Sequence, residues 1–134
     1  MAVFLSECVE DTLNFGRNYA RTLKPGDVVL FKGEMGAGKT VICKGIAQGL
    51  GIEEDVLSPT YAYMNDYCGK LFHYDCYRLE SGEMAEALGL CDYFYMDGVC
   101  IIEWPENISS VLPENCKTVI IEKISENKRR IIYE

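Results

Sequence analysis

The chain is 134 residues long, 49% hydrophobic and 25% charged, which predicts a single domain over residues 1–134 with room for a buried core. Its formal net charge is −8, from 13 Lys and Arg against 21 Asp and Glu, and the only basic cluster is Lys128-Arg129-Arg130. That balance argues against a direct grip on RNA or DNA, which needs a basic face to neutralise phosphates, and no apolar stretch is long enough to span a bilayer.

Met1–Glu10 has neither the basic start nor the long apolar region of a signal peptide, so a cytoplasmic protein without membrane association is expected. Glu10 to Leu23 reads as a helix, with Leu13, Gly16, Tyr19, Ala20 and Leu23 on one face and Glu10 and Asp11 at the N-terminal end that favours acids. After Pro25-Gly26, the apolar run Val28-Val29-Leu30-Phe31 predicts a buried strand. It leads into Gly33-Glu34-Met35-Gly36-Ala37-Gly38-Lys39-Thr40, a complete Walker A element of the form G-x-x-x-x-G-K-[ST]. In such a loop the glycines let backbone N–H groups point at phosphate oxygens. The lysine at position 39 reaches the β/γ-phosphates, and the Thr40 hydroxyl is offered to Mg²⁺. Val41 to Leu50 has helical periodicity and Gly51 supplies a stop, so the helix N-terminus would lie under the bound anion. Strand, loop and helix together predict nucleoside triphosphate binding.

Glu53-Glu54-Asp55 reads as a solvated loop. Ser58-Pro59-Thr60 introduces an aromatic-rich strand, Tyr61–Tyr67, which Cys68-Gly69-Lys70 turns back into Leu71-Phe72-His73-Tyr74 as an antiparallel hairpin. Ser81 is placed to cap a short helix running to about Leu88, with Gly89 after it. Val99-Cys100-Ile101-Ile102 is the most hydrophobic run and the best candidate for a central strand. Thr118–Glu122 and Arg129–Tyr133 close the chain as strands around an Asn127-centred turn. The expected fold is α/β, a three-layer P-loop NTPase fold with a mixed, mainly parallel sheet and an antiparallel hairpin. The seven cysteines are scattered, with no C-x-x-C pair, so reduced thiols are expected rather than a zinc motif or a disulfide framework.

A P-loop needs a further acid near Mg²⁺, typically at the end of a neighbouring apolar strand. Glu103 ends Val99–Ile102 and is preferred as the metal-linked acid, while Asp75 ends Leu71–Tyr74 and suits a water-orienting role, a pair with Arg78 or a turn cap. Thr60 follows a proline with fixed φ and could sense γ-phosphate and Mg²⁺ as a switch residue, or be an ordinary strand-start threonine. His73, the only histidine, is expected to be a hydrogen-bonded structural residue. Trp104, the only tryptophan, could stack on a base, dock a partner or pack in the core. No Asn-Lys-x-Asp motif is present, which disfavours a guanine-specific GTPase. Few arginines and no lid-sized insertion disfavour a small-molecule kinase.

Joined to the Walker A element, Ser58-Pro59-Thr60-Tyr61, His73-Tyr74-Asp75-Cys76-Tyr77-Arg78-Leu79 and Ile102-Glu103-Trp104-Pro105 make a specific set running over nearly the whole chain. In these motifs and their order the chain resembles the TsaE (YjeE) family, the P-loop ATPase of the bacterial pathway that makes threonylcarbamoyladenosine on tRNA. The resemblance implies a compact fold with a mixed sheet, ATP bound with Mg²⁺, and slow intrinsic hydrolysis. It also implies dependence on the partner proteins TsaD and TsaB, with tRNA reached only indirectly through their complex. Residue by residue, it assigns Gly33, Gly36, Ala37, Gly38, Lys39, Thr40 and Val41 to the nucleotide, and Thr40 and Glu103 to Mg²⁺. Asp75 and Thr60 match positions tied to hydrolysis or switching, and Trp104 matches a tryptophan near the nucleotide. Arg130 is assigned as the C-terminal arginine at the nucleotide, with Arg129 open as the alternative. Met35, Val41 and Cys76 depart from the family's usual Leu, Thr and Leu; Val41 loses a hydroxyl but keeps its backbone N–H. An ATPase serving a tRNA-modifying complex is the leading expectation. A binding module regulated by ATP occupancy and a small-molecule phosphotransferase are the other two.

Overall fold

The computed structural model describes residues 1–134 except Met35, Ser58, Thr60 and Tyr61. Among the described residues, seven strands form one sheet: β1 (Ala2–Ser6), β2 (Val28–Gly33), β3 (Met64–Tyr67), β4 (Leu71–Asp75), β5 (Val99–Glu103), β6 (Cys116–Lys123) and β7 (Arg129–Tyr133), in the order β1-β7-β6-β2-β5-β4-β3. The central strands β6, β2, β5 and β4 run parallel, and the edges are antiparallel. Antiparallel pairing is therefore more extensive than the β3–β4 hairpin, since β6–β7 is a second hairpin and β1 pairs with β7. The apolar strand β5 lies beside β2, as its uniform burial requires.

Helices cover both faces of the sheet. α1 (Val9–Ala20) and α2 (Lys39–Gly49) close one face over Val29, Phe31, Leu71, Ile101, Val119 and Ile131. On the other face, α3 (Gly82–Ala87) and two 3₁₀ helices, Leu90–Tyr95 and Pro105–Val111, enclose Val28, Phe72, Tyr74, Cys100 and Ile102. This is the expected three-layer arrangement. Ser81 caps α3 as expected, its Oγ accepting the Met84 N–H at 3.1 Å. All seven cysteines are free thiols, and burial pushes those of Cys76 and Cys100 up to about 12. Among the described residues no helix is long and apolar enough to cross a membrane.

Three elements differ from the sequence expectation. Strand β1 arises from the short run Ala2–Ser6, whose Val3 and Leu5 are 58% and 60% exposed; Phe4 and Ser6 turn toward α1, and since Phe4 alone of the two is apolar the amphipathic signal is weak. α1 stops at Ala20 rather than Leu23, because Arg21 and Thr22 donate to Asn18 and Tyr19 in a tightened last turn. β3 begins at Met64, one residue after Tyr63 adopts a left-handed φ of 62°.

α1 and α2 pack so closely that their contact is made by glycines. A Cβ on Gly16 would lie 2.6 Å from the Ile42 carbonyl oxygen, and one on Gly45 would collide with the Leu13 carbonyl oxygen. Gly45→Ala must therefore push the helices apart, and we expect it to cost about 1–3 kcal/mol, read as a lower urea midpoint. An unchanged midpoint would mean that the helices do not hold this contact in solution. The packing matters for function because it fixes the start of α2 over the C-terminal ends of β2 and β5.

Candidate functional site

Strand β2 ends at Gly33, where the chain turns with φ 152° and a Cβ would sit 2.6 Å from the Ile121 carbonyl oxygen on β6. Only glycine fits that approach. The loop then passes Gly36, which is exposed, and Ala37, whose N–H donates to Glu34 O at 3.1 Å. Gly38 caps α2 with φ 111°. The first bond of α2 beyond the loop is Ile42 N–H to Gly38 O at 3.2 Å, so the N–H groups of Lys39, Thr40 and Val41 precede the helical ladder. They form a positive helix end suited to an anion.

Lys39 is 7% exposed. Its Nζ donates to Gly33 O at 2.9 Å, stands 3.8 Å from Glu103 Oε1 and lies 4.9 Å from the centroid of the Trp104 ring. Trp104 sits in the left-handed region (φ 58°, ψ 49°) at the start of a 3₁₀ helix whose first residue is Pro105, and its ring also packs on Tyr77. Of the roles open to it in sequence, the geometry gives packing against the cluster on the α3 face, and it adds a contact with the loop lysine that the sequence did not suggest.

Glu103 ends β5 on the α2 face of the sheet, paired in register with Asp75 at the end of β4 and with Phe31 of β2. The two sequence-selected acids are thus neighbours at the strand ends. Their environments differ. Glu103 is 7% exposed, and its Oε2 lies 2.6 Å from His73 Nε2, whose side chain is fully buried. Asp75 is half-buried and its Oδ1 accepts the Tyr77 N–H at 3.1 Å, the turn-cap arrangement that its sequence allowed. Burial alone disfavours a charged His73, but the Cys43 thiol and the Glu103 carboxylate on Nε2 hold it above the ordinary histidine range. His73 is therefore the hydrogen-bonded histidine expected from sequence. Its partner is the acid at the centre of the site, a pairing that only the β4–β5 register reveals.

The C-terminal arginines separate cleanly. Arg129 donates from Nε to Ala37 O at 2.8 Å and from Nη1 to the carbonyl oxygens of Ser125 (2.8 Å) and Glu126 (3.1 Å). It ties the β6–β7 turn to the glycine loop. Arg130 points away and pairs with Glu122 at 2.7 Å, both half-exposed. Arg129, rather than the Arg130 expected from sequence, stands at the loop, because alternate residues of a strand face opposite sides and Arg129 shares the side of buried Ile131. Beside it a cleft opens between Cys8, Val9 and Thr12 at the start of α1, Val41 of α2, and Asn127. The sequence reading did not select these α1 residues, since nothing local marks the start of α1 as facing the loop. Thr60 lies outside the described residues.

The fold and this site define a three-layer α/β protein in which a Walker A loop joins strand β2 to helix α2 and an acid-bearing strand β5 lies alongside. The chain belongs to the TsaE family: the family model described as Threonylcarbamoyl adenosine biosynthesis protein TsaE matches residues 6–131. It is 40% identical over 129 residues to the tRNA threonylcarbamoyladenosine biosynthesis protein TsaE of Treponema pallidum, covering 95% of this chain and 96% of the relative. The protein of the same description from Bacillus subtilis is 39% identical over 127 residues, covering 92% of this chain and 79% of that one. Among solved structures, that of YdiB from Bacillus subtilis superposes with a TM-score of 0.78 at 32% identity, covering 98% of this chain and 83% of that chain.

Proposed function

We propose that this protein binds ATP with Mg²⁺ on the 33–41 loop and hydrolyses it, acting with TsaB and TsaD to support repeated formation of threonylcarbamoyladenosine on tRNA. The observation that carries this reading is the meeting of Lys39, Glu103 and the N–H groups of α2 that precede its helical ladder at the ends of β2 and β5. Bound ATP supplies the scissile phosphoanhydride, and Mg²⁺ neutralises its oxygens. The donors fit both groups. Thr40 and Glu103 offer the oxygen ligands that a hard cation selects, while Lys39 and the helix end offer positive charge to a polyphosphate.

In this reading Lys39 leaves the Gly33 carbonyl for the phosphates, and Glu103 stays in place because His73 holds its Oε2. His73 is thus a positioning residue. Asp75, beside Glu103 at the sheet end, orients the attacking water. The role of Thr60 as a switch rests on its place after Ser58-Pro59 in the sequence. The cleft between Thr12, Val41 and Asn127 takes the base or ribose, with Arg129 at its wall. Accordingly, Arg129→Ala is expected to weaken ATP binding by about tenfold, as loss of a charged hydrogen-bonding group of ~1.5 kcal/mol, while Arg130→Ala leaves it unchanged. Calorimetric titration of both variants checks this, and the reverse order would return the nucleotide role to Arg130.

The net charge of −8 supports a route to tRNA through partner proteins rather than direct contact. The test is phosphate release from ATP by the protein alone, then with TsaB, TsaD and tRNA. Hydrolysis should rise in the complete mixture; its absence there, or transfer of labelled phosphate to a metabolite, would sink the ATPase reading. A second reading, in which occupancy rather than hydrolysis regulates the partner, draws support from Lys39. Its three contacts, to Gly33, Glu103 and Trp104, all change when a phosphate takes the lysine.

A further inference from the structure

Three buried side chains, 30 residues apart in succession, meet beneath the loop: Cys43 on α2, His73 on β4 and Glu103 on β5. Cys43 Sγ lies 3.7 Å from His73 Nε2, the same nitrogen lies 2.6 Å from Glu103 Oε2, and the ligand atoms all fall within 4.8 Å of one another. Cys43 and His73 are fully buried and Glu103 is 7% exposed, so the cluster is sealed except at the carboxylate. The phosphate-binding mechanism above makes no use of Cys43.

We propose that Cys43, His73 and Glu103 form a site for a thiophilic divalent cation, with zinc as its natural occupant. One thiolate, one imidazole and one carboxylate are the donors zinc takes, whereas Mg²⁺ selects oxygen alone. Around a tetrahedral zinc the bond lengths of such donors put them about 3.4–3.6 Å apart. The sulfur–nitrogen pair, at 3.7 Å, stands close to that spacing, the histidine–glutamate pair needs to open by less than about 1 Å, and the sulfur–carboxylate pair, within 4.8 Å, closes onto the ion.

Binding forms metal–sulfur, metal–nitrogen and metal–oxygen bonds and releases two protons to solvent, that of the Cys43 thiol and the Nε2 proton that His73 shares with Glu103. The imidazole keeps its proton on Nδ1, leaving the Nε2 lone pair for the metal. His73 Nδ1 is buried without a partner among the described residues, so the usual outer anchor of a metal-bound histidine is missing. The site is accordingly a weaker, exchangeable one rather than a structural zinc centre. Entry is through Glu103, whose other oxygen faces Lys39 at 3.8 Å. A zinc ion here would hold Glu103 away from Mg²⁺ and so slow ATP hydrolysis, a consequence that rests on the proposed ATPase activity, whereas the binding does not.

Titration of the full chain with Co²⁺ as a spectroscopic stand-in, followed by Zn²⁺ displacement, tests the site. We expect a near-ultraviolet sulfur-to-cobalt band that zinc abolishes, that Cys43→Ser removes, and that Cys68→Ser, the exposed thiol beside Glu54, leaves intact. Zinc affinity should fall about tenfold or more in Cys43→Ser. No band, or a band that survives Cys43→Ser, overturns the proposal. X-ray absorption of the zinc-loaded wild type covers the case of a misfolded variant: one sulfur in the shell supports the site and none removes it. Zinc inhibition of ATPase activity that Cys43→Ser relieves supports the coupling to Glu103. A sulfur band without inhibition keeps the metal site and counts against Glu103 as the Mg²⁺ acid.

Discussion

Glu103→Gln is expected to lower ATP hydrolysis by about a hundredfold or more, some 3 kcal/mol of transition-state stabilisation, with little loss of ATP binding. Glutamine keeps the size of the side chain and can still hydrogen-bond His73, so the fold and the buried pair survive. What disappears is the negative charge 3.8 Å from Lys39 at the end of β5. Phosphate release in the presence of the partner proteins and tRNA measures the effect, and the urea midpoint reports that the variant is folded. Glu103→Ala is the harsher change. It orphans a fully buried His73, which adds about 1–3 kcal/mol of destabilisation, so the glutamine variant is the cleaner probe. If Glu103→Gln binds ATP, fails to hydrolyse it and still supports many rounds of product formation, hydrolysis is incidental and the occupancy reading replaces the ATPase one. A hydrolysis rate equal to wild type would remove Glu103 from the mechanism.

Lys39→Ala is expected to weaken ATP binding by about 2–5 kcal/mol, roughly 30-fold to several thousandfold. Its side-chain ammonium lies against both the glycine loop and Glu103. The chain supplies its own reporter, since the single tryptophan, Trp104, lies 4.9 Å from that ammonium. ATP should change tryptophan emission in the wild type as Lys39 leaves the ring, and the variant should show no such change at matched concentrations. Tight ATP binding by Lys39→Ala would show that the loop does not hold the phosphates through this residue. The two substitutions separate binding from chemistry: Lys39→Ala acts first on affinity, Glu103→Gln on rate.

Much of this site is readable along the chain because its parts are local. The Walker A spacing, the apolar strand before it and the helix after it occupy a continuous stretch of sequence. Steric rules for glycine and the period of a helix apply there without knowledge of the rest of the fold. The same holds for β5, whose uniformly apolar run marked it as central and placed Glu103 at a strand end; the register beside β2 agrees. Strand β1 escaped notice for an equally local reason, as Val3 and Leu5 stay exposed and leave only Phe4 to report burial.

The joined motifs pointed by resemblance to the TsaE family, and composition and local pattern were enough for an α/β fold with its glycine loop, its candidate acids at strand ends and its acidic charge balance. They follow from backbone sterics, periodicity and charge, which each residue carries with it. The pairings came from assembly. That Glu103 meets His73 and Cys43, that Arg129 rather than Arg130 grips the loop, and that the start of α1 lines the cleft depend on strand order, register and the tight contact of α1 with α2. These are distances between residues far apart in the chain, and they exist only once the sheet has brought their strands together.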